Sequence, residues 1–429
     1  MSLFSSACGS KAWRPAIETA DKRDTAIALV VLAATVYNAI LAVVNAHVTP
    51  LGFTGAAATE MLILLAALVI IVNRGLFEKD LAPLFLLVVT LVFSVYVSVI
   101  NRAPVIDFSR NMLIVFCFAA LGSRAGLRTV KFVFLAAASL VLLVLLMEMF
   151  FVNQYGDFFF PALYFENTRG LERSGYFDTK LFENALGFEG RFSFGLINHR
   201  SSSIFLEQVS LANFAGVLMI ALVSLWGHFT RAQRAFCLLT IVLILLTNDS
   251  RTMLIFAFIC IAGYFVFPSL PKMFTLLYLP IILFLGFIVY LVNPDAAGDD
   301  IPGRVVLTMS KLSEMDLLTL LGFSAEKAST LADSGYVYVI VIGTVFSLIL
   351  FWLFVCLFPA GNTTEQRRFG HAFAVFIFMN MMIGGTAVFS IKIAGLLWML
   401  AGAMRHLPAP RRAAAPLRPL THSQHFRGA

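Results

Sequence analysis

The stretch Arg191-Phe-Ser-Phe-Gly-Leu-Ile-Asn-His199-Arg200-Ser-Ser-Ser-Ile-Phe-Leu-Glu207-Gln208 brings two guanidiniums, an imidazole and a carboxylate close together. Guanidinium forks bind phosphate oxygens in pairs, and an imidazole accepts a proton near neutral pH. A plain alternative is a polar loop whose His199 and Arg200 anchor at lipid headgroups. A second stretch, Thr247-Asn248-Asp249-Ser250-Arg251-Thr252, places Arg251 at a helix start, where free backbone amides also favour an anion. The same residues make a capping turn, with Asp249 or Ser250 as cap and Arg251 paired to Asp249. In the third, Leu321-Gly322-Phe323 followed by Ala332-Asp333-Ser334-Gly335-Tyr336 and Gly343, spacing alone favours helix capping over chemistry.

The elements that must hold these residues are membrane helices. Hydrophobic residues make up 60% of the 429-residue chain and charged residues only 13%, about half the charge of a soluble domain. The apolar residues come in long blocks, and a bilayer core takes about 20 of them per helix. Backbone in lipid must bond to itself, so the blocks are expected to be helices. The ten-residue alternation of a membrane barrel is missing. The fold class is therefore all-α integral membrane, with about 12 transmembrane helices near 25–46, 56–73, 82–101, 105–122, 129–152, 204–229, 235–248, 252–267, 272–293, 336–358, 369–389 and 391–404. Two long outer, periplasmic loops fall at about 153–203 and 294–335. Residues 1–24 read as a cytoplasmic tail, 25–404 as the membrane domain, and 405–429 as a basic, proline-bearing, disordered cytoplasmic tail.

Basic residues set the orientation. With the N-terminus inside, every inner connection is basic: Arg74 and Lys79; Arg124, Arg128 and Lys131; Arg231 and Arg234; Lys272; Arg367 and Arg368; then the arginines of the C-terminal tail. The outer turn 47–55 has no Lys or Arg. Both termini are thus expected in the cytoplasm, and the net charge of +7 follows from topology without a nucleic-acid partner. Of the five cysteines, Cys117, Cys237, Cys260 and Cys356 sit in apolar blocks. No spacing suggests a disulfide or a metal site, and no cofactor is expected.

Charges inside spans are costly and face cavities or partners. Glu60, Asp107, Arg110, Glu148, Glu207, Asp249, Arg251 and Lys392 all fall in the outer half, while the inner half reads as almost uniformly apolar. Asp107 and Arg110, one turn apart, are expected to pair. Each charge alone can snorkel to the interface; together they suggest a water-filled cavity open to the outer face. Phe158 to Phe160 read as an interfacial aromatic belt, with stacking of the loop's aromatics on sugar faces as the alternative.

The order of these features resembles the Wzy-type polysaccharide polymerase and O-antigen ligase superfamily. The shared pattern is a long outer loop with an Arg-rich entry, "SRT" after an apolar span, and a second outer loop with Leu-Gly before "DSxY…G". "FLEQVSLANFAG" (Phe205 to Gly216) looks like exopolysaccharide polymerases in particular, and the whole chain resembles those of the xanthan type. The motifs cover residues 185–345, and hydropathy alone covers the rest. The resemblance implies a metal-independent membrane glycosyltransferase that moves a glycan from undecaprenyl pyrophosphate onto another lipid-linked repeat unit at the outer face of the inner membrane. It implies pyrophosphate contacts for Arg251, Arg191 and Arg200. The polar Arg110 and Asp249 join that group by position. Superfamily ligases carry a His–Asn-type pair where this chain has Asp333-Ser334, so the base stays open between Asp333, His199 and Glu207, or no base is needed. Expected partners are the lipid-linked oligosaccharide, membrane lipids, and a chain-length regulator with an export complex. A flippase of lipid-linked sugars, a membrane acyltransferase and a non-enzymatic export subunit are the rivals.

Overall fold

The computed structural model describes residues 17–171, 180–185, 195–298, 300–330 and 334–406, with backbone alone for 17–23, 184 and 328–330. It is all-helical. The helices are α1 (Ile17–His47), α2 (Phe53–Arg74), α3 (Leu81–Asn101), α4 (Asp107–Arg124), α5 (Leu127–Phe150), α6 (Val152–Phe159), α7 (Pro161–Arg169), α8 (Gln208–Ser224) and α9 (Arg231–Asn248). Next come α10 (Arg251–Val266), α11 (Tyr278–Val292), α12 (Ile301–Ser313), α13 (Leu317–Leu320), α14 (Gly335–Gly343), α15 (Val345–Leu357), α16 (Thr364–Ile383) and α17 (Ile391–Met404).

Among the described residues, seven helices are long and apolar enough to cross a membrane: those built on α1, α2, α3, α5, α9, α10 and α11. They carry exposed apolar side chains on the outside of the bundle, such as Leu62, Val92, Leu143, Phe258 and Phe284. Exposed apolar surface on this scale is compatible with a multi-pass membrane protein. The centre is built differently. Nearly every residue of α8 and α17 is buried, as is most of α4 and α16. These inner helices need not match the bilayer thickness with lipid-facing residues, so α8 and α17 are shorter, at 17 and 14 residues. At ~1.5 Å per residue they run roughly 20–25 Å.

Small residues bring α4 and α17 together. A Cβ on Gly122 would lie 2.0 Å from the Met399 carbonyl oxygen, and one on Gly402 2.0 Å from that of Ala119. Such close approach of backbones replaces the hydrophobic driving force that lipid cannot supply.

The stretches read as spans are largely helical, with differences at several points: 369–389, for one, leaves its helix after Ile383. The stretch 204–229 begins with a tight 3₁₀ turn at Ser203–Phe205, and α8 starts only after Glu207. The stretch 336–358 breaks at Thr344, whose φ of +91° ends α14 and starts α15. A β-branched residue there is strained. The long connections also carry helices. Residues 153–203 include α6 and α7, and 294–335 include α12 and α13. The expected aromatic belt is not one surface: Phe158 is exposed, but Phe159 is buried against Tyr155, and Phe165 against Phe182. These rings are the apolar underside by which α6 and α7 cap the bundle.

Candidate functional site

Helix ends divide the charges into two groups. At one end of the bundle, basic side chains finish helix termini. Lys131 donates to the His228 carbonyl at 2.6 Å, Lys272 to Leu357 at 2.7 Å, Arg367 to Pro268 at 2.8 Å and Arg368 to Tyr264 at 2.9 Å. Cations at such carbonyls complement the helix dipole. This end is not free of buried charge, contrary to the uniformly apolar reading. Arg124 and Asp80, each 1% exposed, pair at 2.6 Å. Arg124 also donates to the carbonyls of Gly75 and Ala120 and lies over the Phe77 ring. The pair is neutral and bonded on several sides, which is what burial of an ion pair requires.

The opposite end holds the sequence-predicted residues. Glu207 precedes α8 and accepts from Lys392 Nζ at 2.9 Å, Arg169 Nη1 at 3.1 Å and Ser210 Oγ at 2.9 Å. Lys392, on the first turn of α17, is 2% exposed. Arg169 closes α7 and stacks over Phe165. Arg110 on α4 pairs with Glu60 of α2. The expected Asp107–Arg110 pair gives way, because the buried Glu60 reaches across from the neighbouring helix while Asp107 is exposed. Tyr37 of α1 stands within electrostatic reach of Glu60, Arg110, Arg169 and Tyr164, so it lies near both ionic groups. Tyr164 donates to Asn38 and Asn167 to Asn45, each at 3.0 Å, which fastens α7 to α1.

The segment leading into α8 is sewn to α5 and α9. Glu148, fully buried near the end of α5, accepts from the backbone amides of Ser202 and Ser203 at 3.0 and 2.7 Å and from Ser202 Oγ at 3.1 Å. Tyr155 of α6 donates to the Ser203 carbonyl at 2.8 Å. Ser201 N donates to the Thr247 carbonyl at 3.0 Å, Arg200 Nε to that of Asn248 at 2.9 Å, and Asn248 Nδ2 to those of Ser201 and Gln208 at 2.6 and 2.8 Å. The Arg-rich entry and the "SRT" turn, far apart in sequence, are therefore one structure. His199 Nε2 comes 3.5 Å from Glu148 Oε1.

Asp249 bridges α9 and α10 with φ +52°, and Ser250 caps α10 by accepting from Met253 N at 3.4 Å. Of the two caps the sequence offered, Ser250 is the one used. The expected Asp249–Arg251 pair is not formed. Arg251 is exposed and makes no hydrogen bond or ion pair among the described residues. In the same turn Asn248 Oδ1 and Asp249 Oδ2, and in the segments leading into and along α8 His199 Nε2, Gln208 Oε1 and Asn213 Oδ1, are buried polar atoms without a hydrogen-bond partner among the described residues. Native interiors hold few such atoms, and each calls for an explanation. Ser334 caps α14 by accepting from Val337 N at 3.4 Å, as its spacing suggested. Arg191 and Asp333 lie outside the described residues.

The arrangement thus joins His199, Arg200, Asp249 and Arg251 in one place, with Glu207 and Arg110 in the ionic groups beside it. Two contributors were missed by sequence reasoning. Arg169 was one basic residue among many in a long loop. The contact between Glu148 and His199 joins residues about 50 positions apart. Compared with known proteins, the chain matches no family model, no curated protein and no solved structure.

Proposed function

We propose that the chain is an inner-membrane polysaccharide polymerase of the Wzy type. It would join undecaprenyl-pyrophosphate-linked oligosaccharide repeats at the periplasmic face. In this reading α1 to α5, α8 to α11, α14 with α15, α16 and α17 make twelve passes. The basic-capped end faces the cytoplasm, and both termini lie there.

The observation that carries the reading is the exposed Arg251 at the N-terminus of α10, unpaired among the described residues and in one turn with Asn248 Oδ1 and Asp249 Oδ2, buried oxygens that also lack partners among them. A guanidinium at a helix N-terminus suits a pyrophosphate. Free amide and carboxylate oxygens suit the hydroxyls of a sugar. The motif resemblance points to the same turn. Arg200 supports it from behind by fixing the Asn248 carbonyl.

The chemistry asks little of a base. The acceptor hydroxyl attacks the anomeric carbon, and the bond to lipid pyrophosphate breaks with its electron pair. The main task is to stabilise the leaving negative charge with fixed donors in a water-poor site. Glu207 is a poor candidate base, since two cations and Ser210 already occupy its oxygens. It holds Lys392 and Arg169 in place instead. The buried apolar length of α8 and α17 between the two ends favours work at one face over passage through the centre.

The test is reconstitution in liposomes with lipid-linked repeat units. Wild-type protein is expected to make polymer, and Arg251→Ala to lose about 100- to 1000-fold in rate with its fold unchanged. An Arg251→Ala protein that polymerises at the wild-type rate rejects the pyrophosphate role.

A further inference from the structure

We propose that Glu148 is a positioning residue that holds His199 as the proton acceptor of the transfer step. The inference rests on the polymerase reading and adds a pair of roles to it. Glu148 sits at the end of α5 with no exposure at all, in a bilayer-scale apolar helix. A carboxylate there is expensive. Three donors from Ser202 and Ser203 stabilise it, and they pin the backbone just after His199. One oxygen, Oε1, is also approached by His199 Nε2 at 3.5 Å.

That imidazole is 10% exposed, and among the described residues its Nε2 has no hydrogen-bond partner. None of them bonds its Nδ1 either. A buried ring nitrogen facing a carboxylate is the arrangement in which the carboxylate chooses the tautomer. Nε2 carries the proton toward Glu148, and Nδ1 keeps its lone pair for another group. The long 3.5 Å contact fits a site without its substrate, since such bonds tighten when substrate binds. The neighbouring charged and titratable groups are Tyr155 of α6, which donates to the Ser203 carbonyl, Arg200 in the same segment, and Asp249 and Arg251 of the adjoining turn. A base, an orienting carboxylate and the Arg251 turn thus lie on one continuous hydrogen-bonded segment.

In the step, the acceptor hydroxyl oxygen forms the bond to the anomeric carbon and its proton passes to His199 Nδ1. The carbon–oxygen bond to the lipid pyrophosphate breaks, and the electron pair leaves with the pyrophosphate. Glu148 faces the ring's other nitrogen, Nε2, and holds the imidazole in place through the step.

The first test reads the wild-type protein itself. The nitrogen spectrum of ¹⁵N-histidine-labelled wild-type protein is recorded at alkaline pH, with the His199 signal assigned by its loss in His199→Asn. A proton on Nε2 and a bare Nδ1 are expected; a proton on Nδ1 overturns the proposal. His199→Asn leaves Glu148 and its three donors in place, so it should fold. It is expected to lose about 100-fold or more in kcat, with KM for the lipid-linked acceptor unchanged. Glu148→Asp should recover part of the activity that Glu148→Ala loses, and adding His199→Asn to Glu148→Ala should cost little more. Full turnover in His199→Asn overturns the base role. The absence of polymer from the wild-type protein would instead reject the polymerase reading, whatever tautomer the spectrum shows.

Discussion

Glu207 offers the sharpest perturbation. Its carboxylate lies 2.9 Å from Lys392 Nζ and 3.1 Å from Arg169 Nη1. At an effective dielectric of about 20, the closer contact is worth roughly 6 kcal/mol before desolvation is counted. Most of that offsets the cost of burying the ions. The measurable quantity is the stability lost when one partner is removed. Glu207→Gln strands Lys392, which is 2% exposed, and stranding a buried charge costs about 3–5 kcal/mol. Arg169 is 42% exposed, regains water, and adds less than about 1 kcal/mol. Lys392→Met is milder, because Glu207 keeps Arg169 and Ser210, and about 1.5–3 kcal/mol is expected from the lost charged hydrogen bond. The double variant Glu207→Gln with Lys392→Met removes both charges and is expected to be more stable than Glu207→Gln alone. Equilibrium unfolding in mixed micelles, followed through the buried Trp398, gives all four corners of the cycle. Costs that simply add, or a Glu207→Gln cost under about 1 kcal/mol, would refute the buried-pair argument. Expression of the single variant alone cannot mimic the recovery in the double.

The remaining predictions address topology and pH. In a Cys8→Ser background the other cysteines are buried. Cysteines placed at the exposed Gly170 and Gly298 should react with an impermeant thiol reagent added from the periplasmic side, and one at Gly361 should not. The reverse pattern overturns the orientation. His406, just past α17, is pushed down to about 4 by burial and by the cations Lys79 and Arg405. Its neutral form is the one the fold favours. That stability is complete above the unfolded value near 6.5 and is lost as pH falls from about 6.5 through 4. Unfolding midpoints should drop over that window in wild-type protein and drop less in His406→Gln; equal slopes would remove His406 from the account.

Much of this architecture was legible in the sequence, for physical reasons that also mark where legibility ends. A helix that meets lipid must be long and apolar, so α1, α2, α3, α5, α9, α10 and α11 announce themselves. Buried helices such as α8 and α17 obey packing instead, and their lengths and starts are set by contacts such as Glu207 with Lys392. Short-range patterns also carried through: Ser250 and Ser334 cap the helices that their spacing suggested. Pairings read from adjacency did not. Arg110 turns to Glu60 on another helix, because in a bundle a charge finds its nearest buried opposite across space, and Asp249 and Arg251, though two residues apart, do not pair. The joining of Ser201 to Thr247 and of Glu148 to Ser202 depends on tertiary packing, which no single segment encodes. Clustering of charge at one end was only half right, since Asp80 and Arg124 are buried at the other.

The central claim is that the chain polymerises lipid-linked repeats at the outer face, and the lipid-linked glycan profile of cells lacking the protein tests it most directly. Single repeat units on the lipid should accumulate at the periplasmic face while polymer disappears. Accumulation of the same units at the cytoplasmic face would contradict the account and make the chain a flippase.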